Sequence, residues 1–170
     1  MYMNSTLGDV FGCILCLILL FVGPIYDAFQ TNDKLVDTMA NGAINSFQKD
    51  VRKNGYIDFK EYNKFLNELS KTGRVYKVTM IHTSNLVYPS VDNQNDYEIN
   101  QIKYGTENIL EAIKDGNSKY CMRYGDSFKV TITENEIAPS RLLTKMISSN
   151  KGESLLVFSN GGMVENEVYE

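Results

Sequence analysis

The sequence holds no tryptophan, one histidine and three cysteines in 170 residues, and each shortage removes a class of chemistry. Cys13 and Cys16 lie inside an apolar run, where cysteine acts as a small hydrophobe, so only Cys121 stands elsewhere. That excludes a disulfide framework and a paired-cysteine zinc site. The sole histidine, His82, closes an alternating segment with no sequence cue to an acid partner or nucleophile, and reads as structural rather than catalytic. Cation clusters are missing too. Lys+Arg 17 against Asp+Glu 21 gives a net charge of -4 with the signs interspersed, so nucleic acid is not an expected partner. Carboxylates are scattered without an evident acid–base pair, and Gly161-Gly162 has neither dinucleotide-binding nor Walker spacing, so it reads as a turn or bulge after a strand. No catalytic residue and no cofactor is assigned. No repeat, low-complexity tract or linker-like stretch divides the chain.

What is present is an uncharged apolar run near the N-terminus. Val10 to Val22 reads VFGCILCLILLFV, and Gly23, Pro24, Ile25 and Tyr26 extend it, giving roughly 25 Å of helix at 1.5 Å per residue. That length spans a bilayer. A cleaved signal peptide would carry a cation before the run and a small-x-small site after it, and neither occurs, so a retained anchor over residues 1–26 is expected. Val10-Phe11-Gly12-Cys13 imitates a lipoprotein box but precedes the apolar run instead of following it. Asn4-Ser5-Thr6, a formal glycosylation sequon, is set aside because it lies beside the anchor. Pro24 is expected to kink the helix near the interface, where Tyr26 suits the aromatic belt. Lys34 is the only cation in the 20 residues after Tyr26, so positive charge barely marks the orientation. A short N-terminus before a long domain favours an extracytoplasmic placement of residues 27–170 at the cell membrane.

Beyond the anchor, Leu35, Met39, Ala43, Phe47 and Val51 recur every four residues, which predicts that the helix continues to about Lys53 with an apolar stripe on a core. Asn54-Gly55 supplies a left-handed stop. A second helix is expected over about 58–70, packed on the first by Phe59, Tyr62, Phe65, Leu66 and Leu69. Strands follow at 75–82 and 97–104, joined as a hairpin by a polar loop at 89–96. A short helix capped by Thr106 carries Ile109, Leu110 and Ile113, and the alternation of Phe128, Val130 and Ile132 with Lys129, Thr131 and Thr133 marks a half-buried strand. A helix over about 139–148 with Leu142, Leu143, Met146 and Ile147, and a strand at 155–158, complete the order α-α-β-β-α-β-α-β. The expected class is α+β: a long N-terminal transmembrane and amphipathic helix packed on a small antiparallel or mixed sheet with short helices.

One stretch has chemical spacing. DVRKNGYIDFKE, residues 50–61, falls on an EF-hand calcium loop with Asp50 at position 1, Asn54 at 5, Gly55 at 6, the Tyr56 carbonyl at 7, Asp58 at 9 and Glu61 at 12. Calcium needs six to eight oxygens, and a terminal glutamate supplies two. Arg52 opposes that reading, since it puts a cation where position 3 should offer an oxygen, and no second loop of this pattern is present. The competing reading is two helices joined by an Asn-Gly turn, with Asp58 and Glu61 forming a capping box. Calcium therefore stands as the alternative, and no metal is the leading expectation.

The segments GDVFGCILCLILLFVGPIYDAF, INSFQKDVRKNGYI, EYNKFLNEL and TGRVYKV together resemble short single-pass envelope proteins of Gram-positive bacteria, the minor pilins and pseudopilins of type IV pilus-like, Tad-like and conjugation-associated clusters. The likeness covers about residues 8–80. It implies a non-enzymatic structural role in which the apolar helix first anchors the chain in the lipid bilayer and then packs against other envelope or filament subunits, with a globular head outside. The prepilin pattern also has a basic leader and a glutamate five residues into the mature helix. Gly8 could mark the cleavage site, but neither of those features is matched, so a permanently anchored accessory protein is an equal expectation.

Overall fold

The computed structural model describes residues 3–89, 97–116, 118–147 and 155–168. The fold is α+β. In chain order it comprises α1 (Met3–Asn54), β1 (Tyr56–Asp58), α2 (Phe59–Ser70), β2 (Tyr76–Pro89), β3 (Tyr97–Gly105), α3 (Thr106–Ile113), β4 (Lys119–Cys121), β5 (Ser127–Glu134), α4 (Pro139–Ile147) and β6 (Val157–Met163). All the expected elements among the described residues are there, and two three-residue strands, β1 and β4, are added between them. From residue 90 on, the expected polar loop lies outside the described residues, as does Ser148 at the expected end of α4. The chain divides into two compact units, Met1–Asp37 with Ile137–Glu153, and Thr38–Glu136 with Ser154–Glu170.

In the larger unit four strands form an antiparallel sheet in the order β3-β2-β5-β6, and β1 pairs with β4 in a second, two-stranded antiparallel sheet. The β5 alternation holds: Phe128, Val130 and Ile132 are fully buried, while Lys129 between them is exposed. Tyr76, Val78 and Met80 of β2 face the same core. Residues 38–54 of α1 supply the other side, with Ala40, Ala43, Ile44, Phe47 and Val51 buried among them. α2 packs on this stretch through Phe65, Leu69 and Tyr62, Phe65 stacking on Phe47 with ring centroids 4.4 Å apart. Ile109 and Ile113 close the core from α3.

Four expectations need correction. The stripe on α1 does not keep a step of four throughout: Leu35 and Met39 are exposed, and the buried side runs through Val36 and Ala40 before rejoining the expectation at Ala43, Phe47 and Val51, with Ile44 buried beside them. A helix turns about 100° per residue, so sixteen residues in steps of four drift about 160°, nearly to the opposite face. Thr106 is not a cap but the first residue of α3, and its hydroxyl accepts from the Met80 amide at 2.8 Å, continuing the ladder where β3 leaves β2. Gly161 and Gly162 are not a turn; they pair with Lys129 and Phe128 inside β6. A Cβ on Gly162 would meet the Arg52 guanidinium at 2.7 Å, so glycine is there to let that side chain lie across the strand. Finally, Phe59 and Leu66, expected among the residues that pack α2 on α1, are exposed.

In the smaller unit α1 runs unbroken through Pro24. α4 lies beside it through two bonds, from the Ser140 amide to the buried Asp33 carboxylate at 2.9 Å and between the Tyr26 and Thr144 hydroxyls at 3.2 Å.

Candidate functional site

The N-terminal part of α1 is the first candidate. Leu7–Asn54 contains an 18-residue window of mean hydropathy 2.3, none of it buried in the protein. Among the described residues this is the one helix long and apolar enough to cross a membrane. The apolar residues from Val10 to Val22 point in all directions around the helix and are all exposed, unlike the one-sided arrangement at 38–54. A helix apolar all round needs an apolar surrounding, because every exposed leucine or phenylalanine in water forfeits about 1.5–3 kcal/mol.

The second candidate is the 50–61 loop. α1 stays helical through Asn54, so Asp50, Arg52 and Asn54 project from a helix instead of a ligand loop. Arg52 turns to the C-terminal segment, donating to the Met163 carbonyl at 2.6 Å and pairing with Glu165 at 2.5 Å. Gly55 takes φ +75°, and its amide donates to the Val51 carbonyl at 2.8 Å, ending the helix as the Asn-Gly pair predicts. Tyr56 lies in β1 opposite Cys121, with Ile57 beside it fully buried. Asp58 is the N-cap of α2, its carboxylate accepting the Glu61 amide at 2.6 Å. Half of the expected capping box is thereby present, and the Glu61 carboxylate instead receives the Asn54 side-chain amide at 3.5 Å. Burial pushes the Glu61 carboxyl up to about 7, aided by the charges of Asp58 and Asp50. Among the described residues no three Asp, Glu, His or Cys side chains converge tightly enough to hold a metal ion.

The third candidate is one the sequence did not reveal. His82 on β2 is buried, with Nε2 2.9 Å from Asp126 and Nδ1 2.8 Å from the Tyr120 hydroxyl, while the Tyr104 ring stacks on it at 5.4 Å. Burial alone would raise the Asp126 carboxyl, but bonds from the Arg123 amide, His82 and the Asn85 amide together hold it below the usual carboxylate range. Ionised, Asp126 only accepts, so Nε2 donates to it, while Nδ1 and the Tyr120 hydroxyl share the second hydrogen bond. Burial, with Tyr104 and Asp126 nearby, pushes the Tyr120 phenol up to about 12, so it stays protonated. Both imidazole nitrogens are thus engaged, and neither is left to act as base toward a substrate. The trio lines a cavity of about 360 Å³ together with Ser84, Leu86, Tyr104, Cys121 and Arg123. What the arrangement does chemically is fasten β2, β4 and the turn before β5 to one another.

Comparison with family models, curated proteins and solved structures returns no match for this chain.

Proposed function

We propose that this protein is a non-enzymatic, single-pass membrane-anchored envelope protein, a pilin-like or secretion- or conjugation-apparatus component. The observation that carries the reading is the unburied apolar window of α1, on the same unbroken helix that supplies core residues from Ala40 to Val51. A helix that is apolar all round at one end and one-sided at the other suits a subunit that sits in lipid and carries a folded head. The resemblance to pilin-like envelope proteins adds the assembly role, with the N-terminal helix as the surface that meets other subunits. The head is assigned to the extracytoplasmic side.

The test is crosslinking in intact cells followed by detergent extraction. The expected result is recovery in the membrane fraction, resistant to carbonate washing, with filament or apparatus proteins attached. A chain released by carbonate, or one recovered from membranes without such partners, refutes the anchor or the assembly role respectively.

A second reading, a membrane-tethered calcium-binding module using Asp50, Asn54, Tyr56, Asp58 and Glu61, is favoured by one observation. Asp50 and Asp58 both lie close enough to Glu61 to raise its carboxyl, and a divalent cation would relieve that repulsion. Calorimetry at millimolar calcium decides it, because even weak extracellular sites bind at about 10⁻⁴–10⁻³ M. Heat release or a thermal shift supports the module, and their absence ends it.

A further inference from the structure

α4 is a nine-residue amphipathic helix whose apolar side faces away from the protein. Its residues sort by helical geometry into four rows, each pair about one turn apart, the row of Pro139 and Leu143 lying between the bonded side and the remote one. Ser140 and Thr144 face α1, where they bond Asp33 and Tyr26. Arg141 and Lys145 form the second row. Leu142 and Met146 form the third, on the side remote from the bonded one, and Met146 is 78% exposed.

The direction of α4 is informative. Passing from Ser140 to Thr144, its partner on α1 moves from Asp33 back to Tyr26, roughly 10 Å along α1 toward the apolar run. Tyr26 is the last residue of that run, so Met146, further along α4 in the same direction, lies level with its end.

We propose that α4 is a second membrane contact, its Leu142 and Met146 side entering the lipid interface beside the point where α1 leaves the bilayer. The proposal rests on the reading of α1 as an anchor. The lipid surface is the occupant because this side is continuous in depth with the exposed Val22 and Ile25 of α1. A second copy of the chain is a poorer occupant, since two aliphatic side chains cannot supply the ~1,200 Å² that a specific protein interface buries. Anchoring at two points would fix the angle at which α1 leaves the membrane.

The chain has no tryptophan, so single introduced indoles report without background. The full chain is reconstituted in vesicles of mixed zwitterionic and anionic phospholipid as Met146→Trp, Leu17→Trp and Tyr124→Trp. Emission is read with lipids brominated near the headgroup or near the acyl-chain end. The expected result is a blue-shifted indole at 146 that loses most of its intensity to shallow bromines, an indole at 17 quenched most by deep ones, and a water-like, unquenched indole at 124. Deep quenching at 17 with water-like emission at 146 leaves the anchor standing and overturns the role of α4. Blue-shifted emission at 146 without lipid quenching also overturns it, because the side is then covered by a second copy. An unquenched indole at 17 overturns the anchor, and the role of α4 falls with it.

Discussion

Leu17 and Ile44 are aliphatic residues on one continuous helix, yet Leu17 is 52% exposed and Ile44 is fully buried. The contrast extends along α1. Around 10–22 no side is polar and no side is covered, whereas around 38–54 one side is core and the other carries Lys49, Asp50 and Lys53. The same secondary structure therefore suits two different surroundings, and composition around the helix, not helix propensity, makes the difference. Truncating a residue should reveal which solvent it answers to. Phe47→Ala removes a ring that stacks on Phe65 and meets Phe128 edge-on, and should cost about 3–5 kcal/mol in denaturant unfolding of the head. Leu17→Ala, measured in detergent, should leave that unfolding unchanged. An equal loss from both would mean that the first stretch is also packed against protein.

Glycines sharpen the comparison next. A Cβ at Gly12 or Gly23 meets nothing within 4 Å, so alanine there should leave the unfolding of the head unaffected. Gly55 at the end of the packed stretch combines φ +75° with the Asn166 carbonyl lying where a Cβ would go. Gly55→Ala should destabilise the head by about 2–3 kcal/mol, with the midpoint lowered and the denaturant slope unchanged.

The head also holds polar groups that the anchor lacks. Asp126→Ala strips partners from His82 and from the Arg123 and Asn85 amides, and should cost about 2 kcal/mol at neutral pH. Because Asp126 is held below its ordinary value in the fold, its stabilisation is complete above the unfolded carboxylate pKa and disappears as pH falls through the lower folded one. Acid unfolding curves of the two proteins should therefore converge at low pH.

How much of this was legible depends on whether the signal was local. The long apolar helix could be read because thirteen consecutive uncharged apolar residues need no partner to be recognised, and β5 because alternation over Phe128, Val130 and Ile132 is written in one strand. Gly55 could be read because a left-handed stop after a helix is a one-residue requirement. β1 and β4 escaped because three residues are too few for a period to emerge, and they hold only through each other. The His82 trio escaped for a different reason: Tyr120 and Asp126 lie 38 and 44 residues away and meet the histidine only once the sheet is assembled. The loop at 50–61 was ambiguous in sequence because a capping residue and a calcium ligand are the same aspartate. The backbone employs Asp58 as a cap, and that use does not depend on whether an ion is bound.

The smallest expected effect comes from the carboxylates of Asp50, Asp58 and Glu61, where the packed stretch ends and α2 begins. Glu61 is raised to about 7 in the fold by burial and by Asp58 and Asp50, against an ordinary value of 4.5. Between those two values the folded state holds the proton more tightly than the unfolded chain, so the contribution of Glu61 to stability falls as pH rises through this window and is flat above it. Glu61→Gln removes the titration while keeping the shape. It should flatten the stability profile between pH 4.5 and 7 and raise stability above pH 7 by on the order of 1 kcal/mol, since water partly screens the half-buried carboxyl. No charge lies between Val10 and Tyr26, and extraction of the chain from membranes should be the same at pH 5 and pH 8. If Glu61→Gln leaves the slope of stability against pH as it was, burial and the neighbouring carboxylates do not raise Glu61 in solution. The packed stretch would then differ from the anchor in apolar packing alone.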